Sequence, residues 1–213
     1  MGIERNRVRL RTVKLRKSLL ISTCVATLAT GAFAQETTVE TKQYDTGGVY
    51  TGEFIDGKQH GRGKYTLPNG YEYEGEWIDG RIEGQGVAKF PTGSVYTGSL
   101  INGRPDGDGR IVFADGGTYE GEWAEGKING TGKAAYANGV TYEGTFKDAV
   151  HHGTGAMTSP NGYRYEGAWI EGVKHGTGTI TYPDGAIYTG DLVEGERQGQ
   201  GKLSMPDGLT YDA

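Results

Sequence analysis

The chain has 213 residues, of which 39 are glycine, six are proline and one is cysteine. Glycine is therefore far more frequent than the roughly 7% of an average protein. The absence of a three-residue glycine period excludes a collagen helix, and an aromatic content of 10% is too high for a flexible linker. Because interior glycine weakens a helix, the combination of glycine with tyrosine favours turns and β-sheet.

The formal net charge of −5 is unevenly distributed along the chain. Residues 1–34 contain seven basic side chains and one acidic side chain, so residues 35–213 hold 15 basic and 26 acidic residues and a charge of about −11. An acidic surface repels phosphate, and we therefore expect no nucleic acid partner. Binding to an anionic membrane surface is disfavoured for the same reason.

The first 34 residues have the order of a secretory signal peptide. A basic stretch over residues 1–17 precedes the apolar residues 18–31 and an Ala-x-Ala triplet that ends at Ala34. The apolar stretch is shorter than the roughly 20 residues that span a bilayer. We predict cleavage after Ala34 and export to the bacterial periplasm or the cell exterior, with an uncleaved anchor as the alternative. Cys24 lies in this segment, so the exported chain would contain no disulfide and no thiol site.

A 23-residue repeat begins at Tyr50 and continues to the end of the chain. When the repeat tyrosine is counted as position 0, positions 2, 11, 13 and 20 are glycine in all seven full repeats. Residues 35–49 are a lead-in, and residues 50–213 are the repeat array. The full repeats start at Tyr50, Tyr73, Tyr96, Tyr119, Tyr142, Tyr165 and Tyr188, and a partial eighth starts at Tyr211.

Each repeat contains two segments in which side chains alternate as they do in strands. The first is typified by residues 73–77 (Tyr-Glu-Gly-Glu-Trp) and the second by residues 61–67. Five residues such as 56–60 would form the turn between them. Pro68-Asn69-Gly70 would form the turn to the next repeat, because proline fixes φ and glycine accepts a positive φ. The sequence therefore predicts one β-hairpin per repeat.

The Tyr-Glu-Gly-Glu-Trp segment, the Gly-x-Gly pair and the Pro-Asn-Gly or Pro-Asp-Gly turn, at a spacing of 23 residues, resemble the MORN repeat (membrane occupation and recognition nexus) over about residues 44–213. The resemblance implies an all-β fold in which consecutive β-hairpins form one elongated, twisted, antiparallel sheet. It also implies an assembly module that often associates with itself, and the family name implies contact with membranes.

Alternation places positions 0, 2 and 4 on one face of the first strand, and positions 11, 13, 15 and 17 on one face of the second. If position 4 pairs with position 11, Trp77 lies between Gly63 and Gly84 and shields their backbone from water. Sheet twist would coil this face into an aromatic groove. The structural glycines predicted in this way are Gly63, Gly84, Gly109, Gly130, Gly155 and Gly176.

The aromatic residues of this face have two interpretations. Core packing is the first. The alternative is a ligand platform along the groove, because tyrosine and tryptophan offer flat binding surfaces. The candidate platform residues are Tyr73, Trp77, Tyr119, Trp123, Tyr165 and Trp169.

The polar motifs indicate no catalysis, and we expect no enzyme, no metal and no cofactor. Gly121 to Lys127 has the spacing of a phosphate-binding loop, but the next residue is not Ser or Thr and the spacing recurs with the repeat. Position 10 is a histidine in three repeats, at turns that would be about 10 Å apart in neighbouring repeats, which is too far for one zinc ion without distortion. These histidines are His60, His152 and His175.

We predict a non-catalytic scaffold of the cell envelope that binds another protein or itself. The partial eighth repeat leaves a sheet edge near the C-terminus, which favours a homodimer through that edge. Lipid-surface binding and glycan binding through the aromatic groove are the alternatives. Repeat five departs most from the pattern, with Ala149 at the turn and His151-His152 after it, and is either a bend or a contact site.

Overall fold

The computed structural model describes residues 37–212, and sixteen β-strands are their regular elements. The strands are hydrogen bonded in sequence order and form one antiparallel sheet, which confirms the predicted all-β sheet of consecutive hairpins. The lead-in adds a strand that the repeats do not supply, because residues 38–43 pair with the first repeat. Within the described range no helix is long and apolar enough to cross a membrane. The predicted signal segment lies outside the described residues.

The strands of the sheet are β1 Thr38–Gln43, β2 Val49–Ile55, β3 Lys58–Thr66, β4 Glu72–Ile78, β5 Arg81–Lys89, β6 Val95–Ile101, β7 Arg104–Val112, β8 Thr118–Ala124, β9 Lys127–Ala135, β10 Thr141–Lys147, β11 Val150–Thr158, β12 Arg164–Ile170, β13 Val173–Thr181, β14 Ile187–Val193, β15 Glu196–Ser204 and β16 Thr210–Asp212.

Two residues, rather than the predicted five, connect the strands of each repeat. In the first repeat β2 ends at Ile55 and β3 begins at Lys58, so Asp56 and Gly57 form the turn. Their φ angles are 50° and 75°. Two successive positive φ angles are the mark of a type I′ turn, which matches the right-handed twist of the strands. The prediction that the position-10 histidines lie in turns was therefore wrong, because β3, β11 and β13 include them.

A bulge follows this turn in the hairpin of each repeat. In the second repeat Gly75 pairs with Gly86, but Trp77 pairs with Ile82, so three residues of β5 lie opposite Glu76 alone. The glycine at position 11 of each repeat sits in this bulge with φ between 60° and 111°. Glycine adopts such angles without steric strain, and the bulge therefore explains why position 11 is always glycine.

The expected register of Trp77 was wrong. The structure pairs it with Gly61 on β3 and Ile82 on β5, rather than with Gly63 and Gly84. Register in a hairpin depends on the length and type of its connection. The bulge in β5 moves the partner of Trp77 on that strand by two residues. The three-residue loop between β3 and β4 moves its partner on β3 by two residues as well.

Pro68-Asn69-Gly70 joins neighbouring repeats as a three-residue hairpin loop. The N–H of Leu67 donates to the carbonyl of Tyr71 at 2.9 Å, and the side-chain oxygen of Asn69 accepts the N–H of Tyr71 at 3.0 Å. Gly70 is left-handed, with φ of 89°. A left-handed third residue is typical of this loop length, so the predicted turn residues have the predicted roles.

One face of the sheet carries the core. The seven repeat tyrosines are at most 1% exposed, and the position-4 residues are at most 8% exposed. Side chains from positions 9, 15, 17 and 21 pack against them. We call this the aromatic face, and the opposite face, which presents positions 1, 12 and 14, the polar face.

A groove of about 820 Å³ opens on the polar face. Its lining includes Arg62, Lys64, Glu74 and Thr97. We had expected a groove among the aromatic rings. The tyrosine rings instead lie flat against the backbone of their own hairpins and fill that face.

Ala149→Gly is expected to stabilise the protein by about 1 kcal/mol. Ala149 occupies the second turn position of repeat five with φ of 66°, a conformation that costs an L-residue roughly 1–2 kcal/mol. Part of the gain is offset by the greater freedom of glycine in the unfolded chain. Urea denaturation measures the change.

The matched control is Ala124→Gly at the end of β8, where φ is not positive. This change should destabilise by about 0.5–1 kcal/mol, because glycine in a strand only adds unfolded-state entropy. A loss of stability at both positions would contradict the left-handed turn at Ala149.

Candidate functional site

Each repeat tyrosine lies across the glycines of its own hairpin. The Tyr73 hydroxyl donates to the carbonyl of Glu76 at 3.0 Å. A Cβ built on Gly86 would lie 2.4 Å from Cε2 of Tyr73, and one built on Gly75 would lie 2.3 Å from its hydroxyl oxygen. The hydroxyl bond recurs in all seven repeats at 2.8 to 3.0 Å. The ring thus covers backbone that glycine would otherwise leave open to water.

The six glycines predicted to be structural fall into two groups. Three are at position 13, where an added Cβ would lie 2.1 or 2.2 Å from the hydroxyl oxygen of the repeat tyrosine: Gly63, Gly109 and Gly155. Three are at position 11 and have the left-handed φ of the bulge: Gly84, Gly130 and Gly176. The ring that covers the position-13 glycines is that of the repeat tyrosine. We had expected the ring of the position-4 tryptophan there.

The six rings of the candidate ligand platform lie in the core. Tyr73, Trp77, Tyr119, Trp123, Tyr165 and Trp169 are 0% to 8% exposed. The ring centroid of Trp77 is 5.0 Å from that of Tyr50 and 5.6 Å from that of Tyr73, both edge-on. Its indole N–H donates to the carbonyl of Gly63 at 3.2 Å, and the other two tryptophans make the same bond. These are packing contacts, and a ligand platform would require the rings to become accessible.

Burial also changes the acidity of the repeat tyrosines. It raises the pKa of five of them to about 12, against an ordinary value of 10. For Tyr73 the hydrogen bond to the Glu76 backbone acts in the opposite direction and is weaker than the effect of burial. The five tyrosines are Tyr50, Tyr73, Tyr96, Tyr119 and Tyr142.

Part-exposed rings border this core beside the loops that join the repeats. They occupy positions 15, 17 and 21, and Phe113 and Tyr136 are the most open, at 38% and 41% exposed. Several touch one another edge-on or tilted at about 6 Å between centroids. These rings, which a ligand can reach, form what we call the outer band: Tyr65, Tyr71, Phe90, Phe113, Tyr136, Tyr163 and Tyr182.

The charge of the aromatic face differs from that of the chain as a whole. No Asp or Glu occupies positions 0, 2, 4, 9, 13, 15, 17 or 21 in the seven repeats. Position 9 is Gln, Ile, Pro and Ile in repeats one to four. In repeats five to seven position 9 is His151, Lys174 and Arg197, which we call the basic row. Each of these residues pairs across its hairpin with the buried residue at position 4.

The two cations of the basic row lie over tyrosine rings. The Nζ of Lys174 is 4.6 Å from the ring centroid of Tyr163 and 2.5 Å from its hydroxyl oxygen. The guanidinium carbon of Arg197 is 5.3 Å from the ring centroid of Tyr188. Lys174 is thus hydrogen bonded at the hydroxyl edge of Tyr163, whereas Arg197 lies at the distance of a cation–π contact from Tyr188. Lys174 is half-buried and Arg197 is exposed, so both charges reach the surface of this face.

His151 makes different contacts at the same position of repeat five. Its ring stacks flat on Tyr142 with centroids 3.7 Å apart, and its Nε2 is 2.7 Å from the hydroxyl oxygen of Tyr136. Burial lowers the pKa of His151 below its usual 6.5. The ring is therefore a neutral hydrogen-bonding partner of the outer band near neutral pH.

Carboxylates of the polar face have structural contacts. Lys133 pairs across the strands with Glu120 and Glu143, and its Nζ is 3.0 Å from a carboxylate oxygen of Glu143. At position 3, the carboxylate of Glu76 accepts the N–H of Gln85 at 2.9 Å and so caps the bulge. Such exposed ion pairs contribute little stability individually but keep the face hydrated.

In three repeats the side chain at position 10 contacts the turn of the following repeat. Asp106 accepts the N–H of Glu125 at 3.0 Å, and Asn129 accepts the N–H of Asp148 at 3.0 Å. The Nδ1 of His152 is 3.5 Å from the N of Glu171 in the equivalent place. Among residues 37–212, no group of three or more His, Cys, Asp or Glu side chains is arranged to hold a metal ion.

The sequence profile of the MORN repeat matches seven segments, at residues 50–70, 73–95, 96–118, 119–141, 142–162, 165–187 and 188–210. The chain belongs to the MORN-repeat family. Each matched segment starts at one of the repeat tyrosines, so the family motif coincides with the unit of one ring over its own hairpin. No curated protein sequence matches the chain.

Solved structures similar to this MORN array are distant in sequence. The G-box domain of the microcephaly protein CPAP aligns over 81% of this chain and 90% of its own, with 12% identity and a TM-score of 0.49. The TCP domain of Drosophila melanogaster SAS-4, in complex with a proline-rich motif of Ana2, covers 89% and 96%, with 15% identity and a TM-score of 0.38. The TCP10 domain of Danio rerio CPAP, in complex with a STIL peptide, covers 84% and 99%, with 18% identity and a TM-score of 0.34. At these TM-scores the likenesses support no conclusion about this chain.

The outer band and the basic row were not predicted from the sequence. A comparison of position 9 along the repeats would have shown the change from uncharged residues to His151, Lys174 and Arg197. The sequence indicates the exposure of position 17 less clearly, because the aromatic residues found there are of the same types as those in the core. Only its place beside the Pro-Asn-Gly loop distinguishes it.

Raising the pH above 10 is expected to unfold the MORN array. A tyrosine such as Tyr73, with a folded pKa of about 12, ionises more readily in the unfolded chain, where its pKa is near 10. The stabilisation is therefore complete below pH 10 and is lost as the pH rises towards 12. Circular dichroism and tyrosinate absorbance, followed together, should change in one transition. Ionisation of all the tyrosines near pH 10 with the sheet intact would contradict their burial.

Proposed function

We propose that this MORN-repeat chain is a non-catalytic binding module that recognises another protein through the outer band of its aromatic face. The signal-like N-terminus supports export, so the proposed place of action is the bacterial cell envelope or the exterior. A rigid sheet supports such a role, because side chains on strands are held in place by their neighbours before the partner arrives.

The outer band is the observation on which this proposal depends. Five of its seven rings pack against the buried core and remain partly open to solvent. The other two, Phe113 and Tyr136, are more than a third exposed. Exposed aromatic residues are enriched at protein interfaces, since they bury a large area at a small loss of side-chain freedom. Each of repeats one to six contributes at least one of these rings.

Self-association through a sheet edge is the second proposed mode. The strand β16 lies at one edge of the described sheet, and its residues are exposed, with Tyr211 at 53%. An edge strand presents N–H and carbonyl groups that can pair with another strand. Two copies could join there as a homodimer without using the outer band.

Lipid-surface or glycan binding would use the same rings and is the alternative. The charge of about −11 for residues 35–213 opposes anionic lipids. Glycan binding would need ring faces that stack on sugars, which the outer band can supply. A protein, a vesicle and a glycan are therefore to be compared directly as partners.

The exported chain, residues 35–213, should capture a protein partner from an envelope extract of the organism that makes it. Phe113→Ser combined with Tyr136→Ser should lower the capture about tenfold or more, because it removes the most exposed rings of the band. Quantitative pull-down measures this effect, and light scattering of the purified chain gives its mass.

Ile78→Ser combined with Ile101→Ser is the matched control. These two residues are 41% and 48% exposed and lie on the polar face, so capture should be unchanged. Undiminished capture by the outer-band variant, or binding to vesicles or glycans with no protein captured, would contradict the proposed function. A strict monomer by light scattering would remove the homodimer.

A further inference from the structure

The basic row adds a charge preference to the aromatic face, and it is confined to one end of the sheet. We propose that the aromatic face of repeats five to seven binds an acidic peptide segment in the polyproline II conformation. The inference rests on the proposed protein-binding function and specifies the charge and conformation of the bound segment.

Charge complementarity is the first reason. Lys174 and Arg197 lie on a face that has no carboxylate at its inward positions in any of the seven repeats, within a chain that is acidic overall. Their contacts on this face are with tyrosine rings, which leave the positive charge uncompensated. An acidic ligand supplies the missing carboxylates, and a basic one is repelled.

The cations are also held in place before any ligand binds. Lys174 lies between the rings of Tyr163 and Tyr165, at 4.6 and 5.5 Å from their centroids, and Arg197 lies against Tyr188. Long basic side chains normally lose considerable rotamer freedom when they form an ion pair. Stacking on a ring removes part of that loss in advance.

The spacing of the row favours the polyproline II conformation. Equivalent positions in neighbouring repeats are two strands apart, which is about 10 Å. A polyproline II helix has three residues per turn and rises 3.1 Å per residue, so every third side chain returns to the same side after about 9.3 Å. In an extended β-strand the third side chain points the opposite way. With one acidic residue in three, successive carboxylates would therefore meet Lys174 in repeat six and Arg197 in repeat seven.

An α-helix also returns to one side after two turns, about 10.5 Å, but it is 10–12 Å wide and binds by laying an apolar stripe in a groove. The groove described above lies on the polar face. The aromatic face offers ridges of rings instead, among them Tyr136, Tyr163 and Tyr182 beside the basic row. Polyproline II segments dock between aromatic side chains of this kind.

The test uses residues 35–213 and a fluorescent peptide of repeated Glu-Pro-Pro units, with binding followed by anisotropy. We expect this peptide to bind at least about tenfold more tightly than repeated Lys-Pro-Pro, Glu-Gly-Gly or an acidic helical peptide. The affinity should fall as salt is added, because the charges are near the surface. Lys174→Gln combined with Arg197→Gln should lower the affinity about tenfold or more.

Lys147→Gln combined with Lys202→Gln is the matched control. It removes the same charge from the same end of the sheet, but these residues are exposed on the polar face, and the affinity should change less than about twofold. Circular dichroism establishes that both variants are folded. The two double variants therefore separate a site on the aromatic face from a general effect of net charge.

Equal loss of affinity in both double variants, tighter binding of any comparison peptide, or binding of anionic phosphatidylglycerol vesicles alone would overturn the proposal. Failure of this inference can also be distinguished from failure of the proposed protein-binding function. A natural protein partner that the Lys174→Gln/Arg197→Gln variant captures as well as wild type would leave the protein-binding function standing and this inference overturned. No captured protein at all would remove the function itself.

Discussion

A tyrosine ring that lies flat over paired glycines is the interaction on which the rest of the structure depends. The ring of Tyr73 occupies the space where side chains at Gly75 and Gly86 would be, and its hydroxyl binds the carbonyl of Glu76. High glycine content is therefore a consequence of packing rather than of flexibility. Most domains bury a sheet against a second layer; here the aromatic side chains of the same sheet cover one face of it.

Because each ring covers its own hairpin and contacts the neighbouring one, stability is expected to be a sum of local terms along the array. Residues outside this contact can then vary without loss of the fold. Position 9 is Ile82 in repeat two and Lys174 in repeat six, with the same pairing opposite position 4 in both. The repeat thus provides a constant core with a surface that differs from one end of the sheet to the other, as the proposed binding function requires.

The period, the hairpins and the strand order could be predicted, because a strict 23-residue spacing and alternating side chains are local signals. The partner of Trp77 could not, because it depends on the bulge at Gly84 and on the loop that contains Gly70, each of which moves the register by two residues. For the same reason the sequence left open whether the candidate platform rings belong to the core or to a ligand platform, and the structure buries them. Accessibility depends on register and twist, so the outer band could be assigned only from the structure, whereas the basic row has a signal in the sequence at position 9.

A double-mutant cycle between Gly86 and Tyr73 tests the central role of the tyrosine ring most directly. In the wild-type background, Gly86→Ala should lower the free energy of unfolding by about 2–3 kcal/mol, because the new Cβ displaces the ring. In the Tyr73→Ala background the same change should cost less than about 1 kcal/mol, since the displaced ring is no longer there. An equal loss in both backgrounds, measured by urea denaturation, would contradict the proposed role of the tyrosine.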